Sequence, residues 1–257
     1  MQVKTLYEKL SEIFPSTLSC EWDHDGMMCM PSPKKKVKRV LCTLDATEDV
    51  ISYAAAQKVD VILTHHPMIF RPIDCVSAED STGRKINELV RNDIALFSFH
   101  TRMDSAEAGI NAELARRMHL KNVTPLDHLG RVGDLTGEQT LSSFLELVCR
   151  EVLSAPCASF VDADRPVSRV AVVSGSGVEL FRAALAAGAD TLLTGTPKHE
   201  MLLEAHACGL NVICAGHFET EVIAGELLAR AVECIDSEIY TCTYDIPVIK
   251  WYQTEIK

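Results

Sequence analysis

The chain repeats itself, and this repeat limits its fold more than any other feature. RVLCTLDATEDVISYAAAQKVDVILTH, from Arg39, aligns with RVAVVSGSGVELFRAALAAGADTLLTG, from Arg169. Arg39, Val40, Asp60, Leu63 and Thr64 fall on Arg169, Val170, Asp190, Leu193 and Thr194 at a constant offset of 130. His100 and Asp104 fall on His217 and Glu221 at an offset of 117, so the first half carries the longer connector. Apolar strands alone would match by chance in any two βα units. The polar matches favour duplication.

Short apolar runs alternate with helical patterns along both copies. VLCTL (40–44), VDVILT (59–64), IALFSF (94–99), VAVVS (170–174), DTLLT (190–194) and NVICAG (211–216) read as strands. Helical stretches fall near 47–57, 79–92, 105–118, 177–187, 198–208 and 219–234. Residues 127–168 read as a connector with one helix, TLSSFLELVCREVL. The expectation is an α/β fold of two similar halves, 1–128 and 129–257, with mixed sheets flanked by helices. The C-terminal segment is free to pack back on the first half. Ligands in such sheets collect where strands end, here in the cleft between the halves.

Composition narrows the function classes. No apolar run approaches the roughly 20 residues of a membrane span. MQVKTLYEKLSEIF places Val3, Leu6, Tyr7, Leu10, Ile13 and Phe14 at helical spacing between charges, an amphipathic helix rather than a signal peptide. The expected location is therefore the cytoplasm. A net charge of −11 argues against broad nucleic-acid binding. The basic run PKKKVKR at 33–39 reads as a solvated turn before a strand rather than a phosphate-binding or targeting patch. The ten cysteines (20, 29, 42, 75, 149, 157, 208, 214, 234 and 242) contain no CxxC pair and read as reduced thiols, several of them in the core.

The chemistry concentrates at three strand ends. VDVILTHHP places His65 and His66 after an apolar run, IALFSFHTRMD places His100 and Asp104 likewise, and NVICAGHFETE does the same with His217 and Glu221. Neighbours on an extended backbone point to opposite sides, so His65 and His66 suit two adjacent ions, one each. Any one of these histidines alone is more often structural. The set, with symmetric acidic partners, points to metal: His65, His66, Asp104, His217 and Glu221. Imidazole with carboxylate suits two divalent ions of Zn, Fe, Mn, Co or Ni rather than Ca or Mg. His100 is either a ligand or a support for Asp104 or substrate. Asp45 lines the cleft or caps the next helix, the commoner role. Gly175–Ser176–Gly177 reads as a tight turn, with a phosphate cradle as the rarer alternative. Lys198 and His199 sit where they could meet an anionic substrate.

At these residues the chain resembles the NIF-three-like dinuclear metal-centre family, whose members are often labelled GTP cyclohydrolase 1 type 2 homologues. The resemblance runs from EWDHDGMM through LTHHPMIF, HTRMD and TGTPKHE to GHFETE. It implies two similar α/β domains, the five ligands named above with Glu221 bridging, and a toroidal homohexamer without the extra domain of longer members. Thr196 replaces the family's usual acidic residue after TG, and His24 the asparagine of its WDN. Neither touches a proposed ligand on this reading, but both bear on the surroundings of the site.

Two functions are compatible with these residues. One is a metal-dependent hydrolase of a nucleotide or another phosphate-bearing small molecule, GTP cyclohydrolase-like by resemblance. The other is a non-catalytic metal-binding scaffold or metallochaperone acting through protein partners.

Overall fold

The computed structural model describes residues 1–153 and 159–247; Cys157 and the last ten residues lie outside these ranges. The first part of the chain runs α1 (Val3–Ile13), β1 (Gly26–Cys29), β2 (Arg39–Thr43), α2 (Glu48–Ala56), β3 (Val61–Thr64), α3 (Ser81–Arg91), β4 (Ala95–Ser98), α4 (Thr101–Ser105) and α5 (Ile110–Arg117). Next come β5 (Lys121–Leu126), β6 (Gly130–Gln139), α6 (Leu141–Leu147), β7 (Ser159–Val161), β8 (Val167–Val173) and α7 (Phe181–Ala186). The last elements are β9 (Thr191–Thr194), α8 (His199–Ala207), β10 (Asn211–Cys214), α9 (His217–Glu221), α10 (Ile223–Ile235) and β11 (Tyr240–Thr243).

Two sheets result. The first has strand order β1-β4-β3-β2-β11 and the second β5-β6-β8-β9-β10-β7. β2, β3 and β4 are parallel, as are β8, β9 and β10. Each parallel trio carries one antiparallel edge strand contributed by the chain just before it, β1 on β4 and β7 on β10. The duplication therefore extends to a strand pair with no readable sequence match. The other edges differ: β11 joins β2 in parallel, whereas β6 joins β8 antiparallel. The β5–β6 hairpin spans residue 128, and both its strands belong to the second sheet.

Residues of β3, β4 and β9 are buried throughout, which is why these strands read as continuous apolar runs rather than alternating ones. Their alternate side chains feed different cores. Leu41, Ile62 and Leu96 pack outward with Val50, Ile51 and Leu89 of α2 and α3. Val40, Leu63 and Phe97 point inward and share one core with Leu6 and Leu10 of α1, Leu114 of α5 and Leu228 of α10. Val170, Val172 and Leu193 of the second sheet enter that same core from the opposite side. Ala171, Leu192 and Val212 face outward onto Phe181 and Ala184 of α7 and Ala205 of α8. The layers thus alternate helix, sheet, helix, sheet, helix, with α1, α5 and α10 between the sheets.

The polar residues of the repeat close equivalent turns. Oδ2 of Asp60 accepts the main-chain amides of Lys38 and Arg39 at 2.8 and 3.0 Å. Oδ2 of Asp190 accepts those of Ser168 and Arg169 at 2.9 and 2.8 Å. Arg39 donates to the carbonyl of Gln57, and Arg169 to that of Ala187. The next residues, Lys58 and Gly188, both take a positive φ (53° and 79°) to turn the chain into the following strand.

Two expectations change. Residues 127–168 hold strands β6 and β7 and the start of β8 as well as the expected helix; β5 is almost wholly exposed and Gly130, Arg131 and Gly133 interrupt the buried start of β6, so neither hairpin strand reads as an apolar run. The helix expected over 105–118 forms only from Ile110, as α5, and the shorter α4 ends at Ser105 just ahead of it. The two break at Gly109, where a Cβ would lie 1.7 Å from the carbonyl oxygen of Met103. The basic run is a turn as expected: Lys35 pairs with Asp60 and Asp93 at 3.1 and 3.5 Å. No disulfide joins the described cysteines, and among the described residues no helix is long and apolar enough to cross a membrane.

Replacing Asp60 or Asp190 with Ala leaves two main-chain amides without their acceptor, so each variant is expected to lose about 1–3 kcal/mol in urea denaturation. An unchanged midpoint in both would mean that water replaces the carboxylate without cost.

Candidate metal centre

Each half delivers donor side chains from a strand end and from the short helix after it. β3 ends at Thr64, and the next two amides continue the ladder toward the carbonyls of Thr43 and Leu44. His65 and His66 come next; His65 is fully buried, while a quarter of the His66 side chain is exposed. After β4, His100 precedes α4 and Asp104 lies within it. After β10, Gly216 (φ 86°) lets the chain enter α9, whose first and fifth residues, His217 and Glu221, share one helix face.

These residues converge. Nε2 of His66 and Nε2 of His217 lie 3.0 and 2.9 Å from Oε2 of Glu221 and 3.4 Å from each other. Nε2 of His65 lies 3.8 Å from Oε1 of Glu221 and 3.8 Å from Oδ2 of Asp104. Three donor groups form: His66, His217 and Glu221; His65, Asp104 and Glu221; and His65, His66 and His100. Glu221 belongs to the first two.

The outward nitrogens of three rings are engaged. Nδ1 of His65 faces the carbonyl of Phe99 at 3.0 Å, that of His66 faces Asp45 at 2.9 Å, and that of His100 faces Asp23 at 2.9 Å. Carbonyls and carboxylates only accept, so these Nδ1 atoms carry the proton, and in the neutral ring the Nε2 lone pair faces inward. Lone pairs of imidazole and carboxylate thus crowd one space. Nε2 of His65 and Oε2 of Glu221 are buried with no hydrogen-bond partner, because neighbouring nitrogens approach without donor geometry. Cations fit such a space, since only a cation or a proton satisfies lone pairs turned on one another.

Electrostatics obey the geometry. Burial pulls the pKa of His66 down, but Asp45 and Glu221 together outweigh it and raise the ring to about 10. His65 is raised in the same way, with Asp104 and Glu221 overcoming its burial. Burial raises Asp104 above the usual carboxylate value. Burial would raise Glu221 too, but the imidazoles of His217, His65 and His66 beside it hold it well below that value.

Two expectations are corrected, those for Asp45 and Thr196, and the other candidates find their places. Asp45 does not cap α2; Thr47 does, accepting the amide of Val50, and Asp45 instead orients His66. Thr196 does touch a proposed ligand, its hydroxyl lying 3.2 Å from Nδ1 of His217. The glycine turn is no phosphate cradle at Gly175, whose amide donates to Thr220. Gly175 takes φ 59°, and a Cβ there would lie 2.2 Å from Oε1 of Glu221, so the turn is glycine to admit that carboxylate. Lys198 pairs with exposed Glu179 at 3.2 Å, and His199 opens α8 outside the three donor groups.

Other residues escaped notice in the sequence. Asp23 accepts from the amide and hydroxyl of Thr101, and Asp25 grips Arg102 through two bonds of 2.8 and 2.6 Å. Together they pin α4 and with it Asp104. Ser174 donates to Oδ1 of Asp104 at 3.1 Å. The available signal was DHD, two acids flanking a histidine with no lysine or arginine beside them.

The family model described as Duf34/NIF3 (NGG1p interacting factor 3) matches residues 1–248. The chain belongs to this family. A relative from Clostridium perfringens named GTP cyclohydrolase 1 type 2 homolog is 30% identical over 93% of this chain and 94% of its own. Reduced HcgD from Methanocaldococcus jannaschii superposes with a TM-score of 0.83 at 29% identity, covering 95% of this chain and 97% of that one. A Bacillus cereus protein related to NIF3 shares the fold at a TM-score of 0.90 and 21% identity, over 99% of both chains. In this Duf34/NIF3 chain the donor groups could hold metal.

Asp23 generates a pH prediction. Its burial alone would raise the carboxyl, but bonds from His100 and Thr101 outweigh that and hold it below the ordinary 3.8. A depressed carboxylate stabilises the fold above its unfolded value and loses that contribution as pH falls through the folded one. Asp23→Asn is therefore expected to lower the urea midpoint near neutral pH, with the difference from wild type shrinking below about pH 4. A difference that stays constant with pH would contradict the assignment.

Proposed function

We propose that this protein holds two divalent ions, of Zn, Fe, Mn, Co or Ni, and uses them to hydrolyse a nucleotide or another phosphate-bearing small molecule. The observation that carries the reading is the position of Glu221, whose two oxygens face two different donor groups. His66 and His217 would hold one ion, His65 and Asp104 the other, and Glu221 both. Ions bound there would supply Lewis acidity and activate water as a nucleophile.

The chain's own residues fix and open the site. Asp45, Thr196 and the Phe99 carbonyl hold three rings by their outward nitrogens, so no reorientation is needed on binding. His65 is fully buried, whereas 37% of the His217 side chain is exposed, so a ligand enters from the His66–His217 side. The relative named GTP cyclohydrolase 1 type 2 homolog supports a nucleotide as the substrate class. The homohexamer implied by the family resemblance belongs to this reading, and native mass measurement tests it.

Elemental analysis of protein purified without chelators is expected to find about two ions per chain in the native form, and about one or none in Glu221→Gln. Turnover across a panel of nucleotides and phosphoesters should fall at least about 100-fold in that variant. Full activity in Glu221→Gln would sink the hydrolase reading; stoichiometric metal without turnover of any substrate would favour the non-catalytic scaffold.

A further inference from the structure

An aromatic rim borders the donor cluster. Trp22 and Phe70 are 55% and 40% exposed, although both are large apolar side chains. Their ring centroids lie 6.3 Å apart with the planes tilted by 60°. Both rings meet His100 edge-on, Trp22 at 6.1 Å and Phe70 at 6.3 Å. His24 meets Phe70 in the same manner at 6.2 Å. His100 in turn groups with His65 and His66.

The rim is built rather than loose. Asp23, next to Trp22, has a fully buried side chain tied to His100 and Thr101. Asp25, two residues further on, is clamped to buried Arg102. The segment that presents the indole is thus fastened to the helix that carries Asp104. An indole held in water forgoes a large apolar burial, and edge contacts with His100 leave most of its surface uncovered. An aromatic face of this kind stacks on any flat π-system.

We propose that Trp22 and Phe70 form a stacking platform for a planar heteroaromatic ring whose anionic substituent reaches the metal centre. The inference rests on the metal-binding reading of the donor cluster. Bound cations favour an anionic group at that cluster, and the rim favours a flat apolar ring beside it. A purine nucleoside monophosphate combines both parts in one molecule.

The test uses the full chain loaded with metal, its content measured on the same sample. Calorimetric titration with AMP and with GMP is expected to show affinities at least about tenfold tighter than with ribose 5-phosphate, which lacks the ring. Trp22→Ala should erase that margin with bound metal unchanged, because Trp22 supplies no donor atom; Trp22→Phe should retain part of it. Equal affinities for ring-bearing and ring-free phosphates would overturn the proposal, as would a margin that survives in both Trp22→Ala and Phe70→Ala. A change of native mass in Trp22→Ala with the margin intact would reassign the rim to a subunit contact. Adenosine separates this inference from the one beneath it. In a Trp251→Phe background, quenching by adenosine reads stacking on Trp22 with or without metal. Quenching in protein that takes up no added divalent metal would sink the metal reading alone, whereas bound metal without quenching would sink the platform alone.

Discussion

The molecule turns on a carboxylate buried among imidazoles. Glu221 is 4% exposed and sits within 4 Å of His65, His66 and His217, which reach it from the other half of the chain and from its own helix. Taking ionisable groups out of water costs several kcal/mol each unless opposite charge is close and well placed. Much of the nearby architecture meets that demand. Asp45, Asp23 and the Phe99 carbonyl fix the rings, Ser174 fixes Asp104, and Gly175 leaves room for Glu221 itself.

The duplicated halves contribute unequally. His65 and His66 correspond, at the offset of 130, to Gly195 and Thr196. No side chain fits at Gly195, where a Cβ would lie 2.5 Å from the carbonyl oxygen of Gly175. Thr196 holds the ring of His217 instead of offering a donor nitrogen of its own. One copy thus keeps an adjacent histidine pair, and the other has given those positions to close packing and to orientation. The acids after β4 and β10 stay equivalent, so a pseudo-symmetric frame carries an asymmetric donor set.

How far the sequence revealed this depends on what each residue answers to. β2, β3, β4, β8, β9 and β10 were readable because burial on both faces demands continuous apolar runs, and their connecting helices because one face stays polar. β1, β7 and β11 are three or four residues long and lie at sheet edges, where little burial shapes composition. The strand-end histidines and acids were readable as a group because imidazole and carboxylate rarely cluster there without cause. Asp45 and Thr196 were readable as neighbours of the site but not by partner, because which ring a hydroxyl or carboxylate meets depends on the crossing of loops distant in sequence. Asp23 and Asp25 were visible only as a charged turn; their partners in α4 and just before it lie more than seventy residues away.

β11 has a consequence of its own. Tyr240–Thr243 pairs with β2 in parallel, and just beyond it Asp245 accepts the amide of Leu44 at 2.7 Å. Leu44 immediately precedes Asp45, the residue that steadies His66. During synthesis the amino-terminal sheet therefore waits with one flank bare until residues 240–243 have left the ribosome. The early-made half cannot reach its finished form ahead of the late-made one. Arrival of β11 and Asp245, and not of either repeat alone, closes the frame around the histidines.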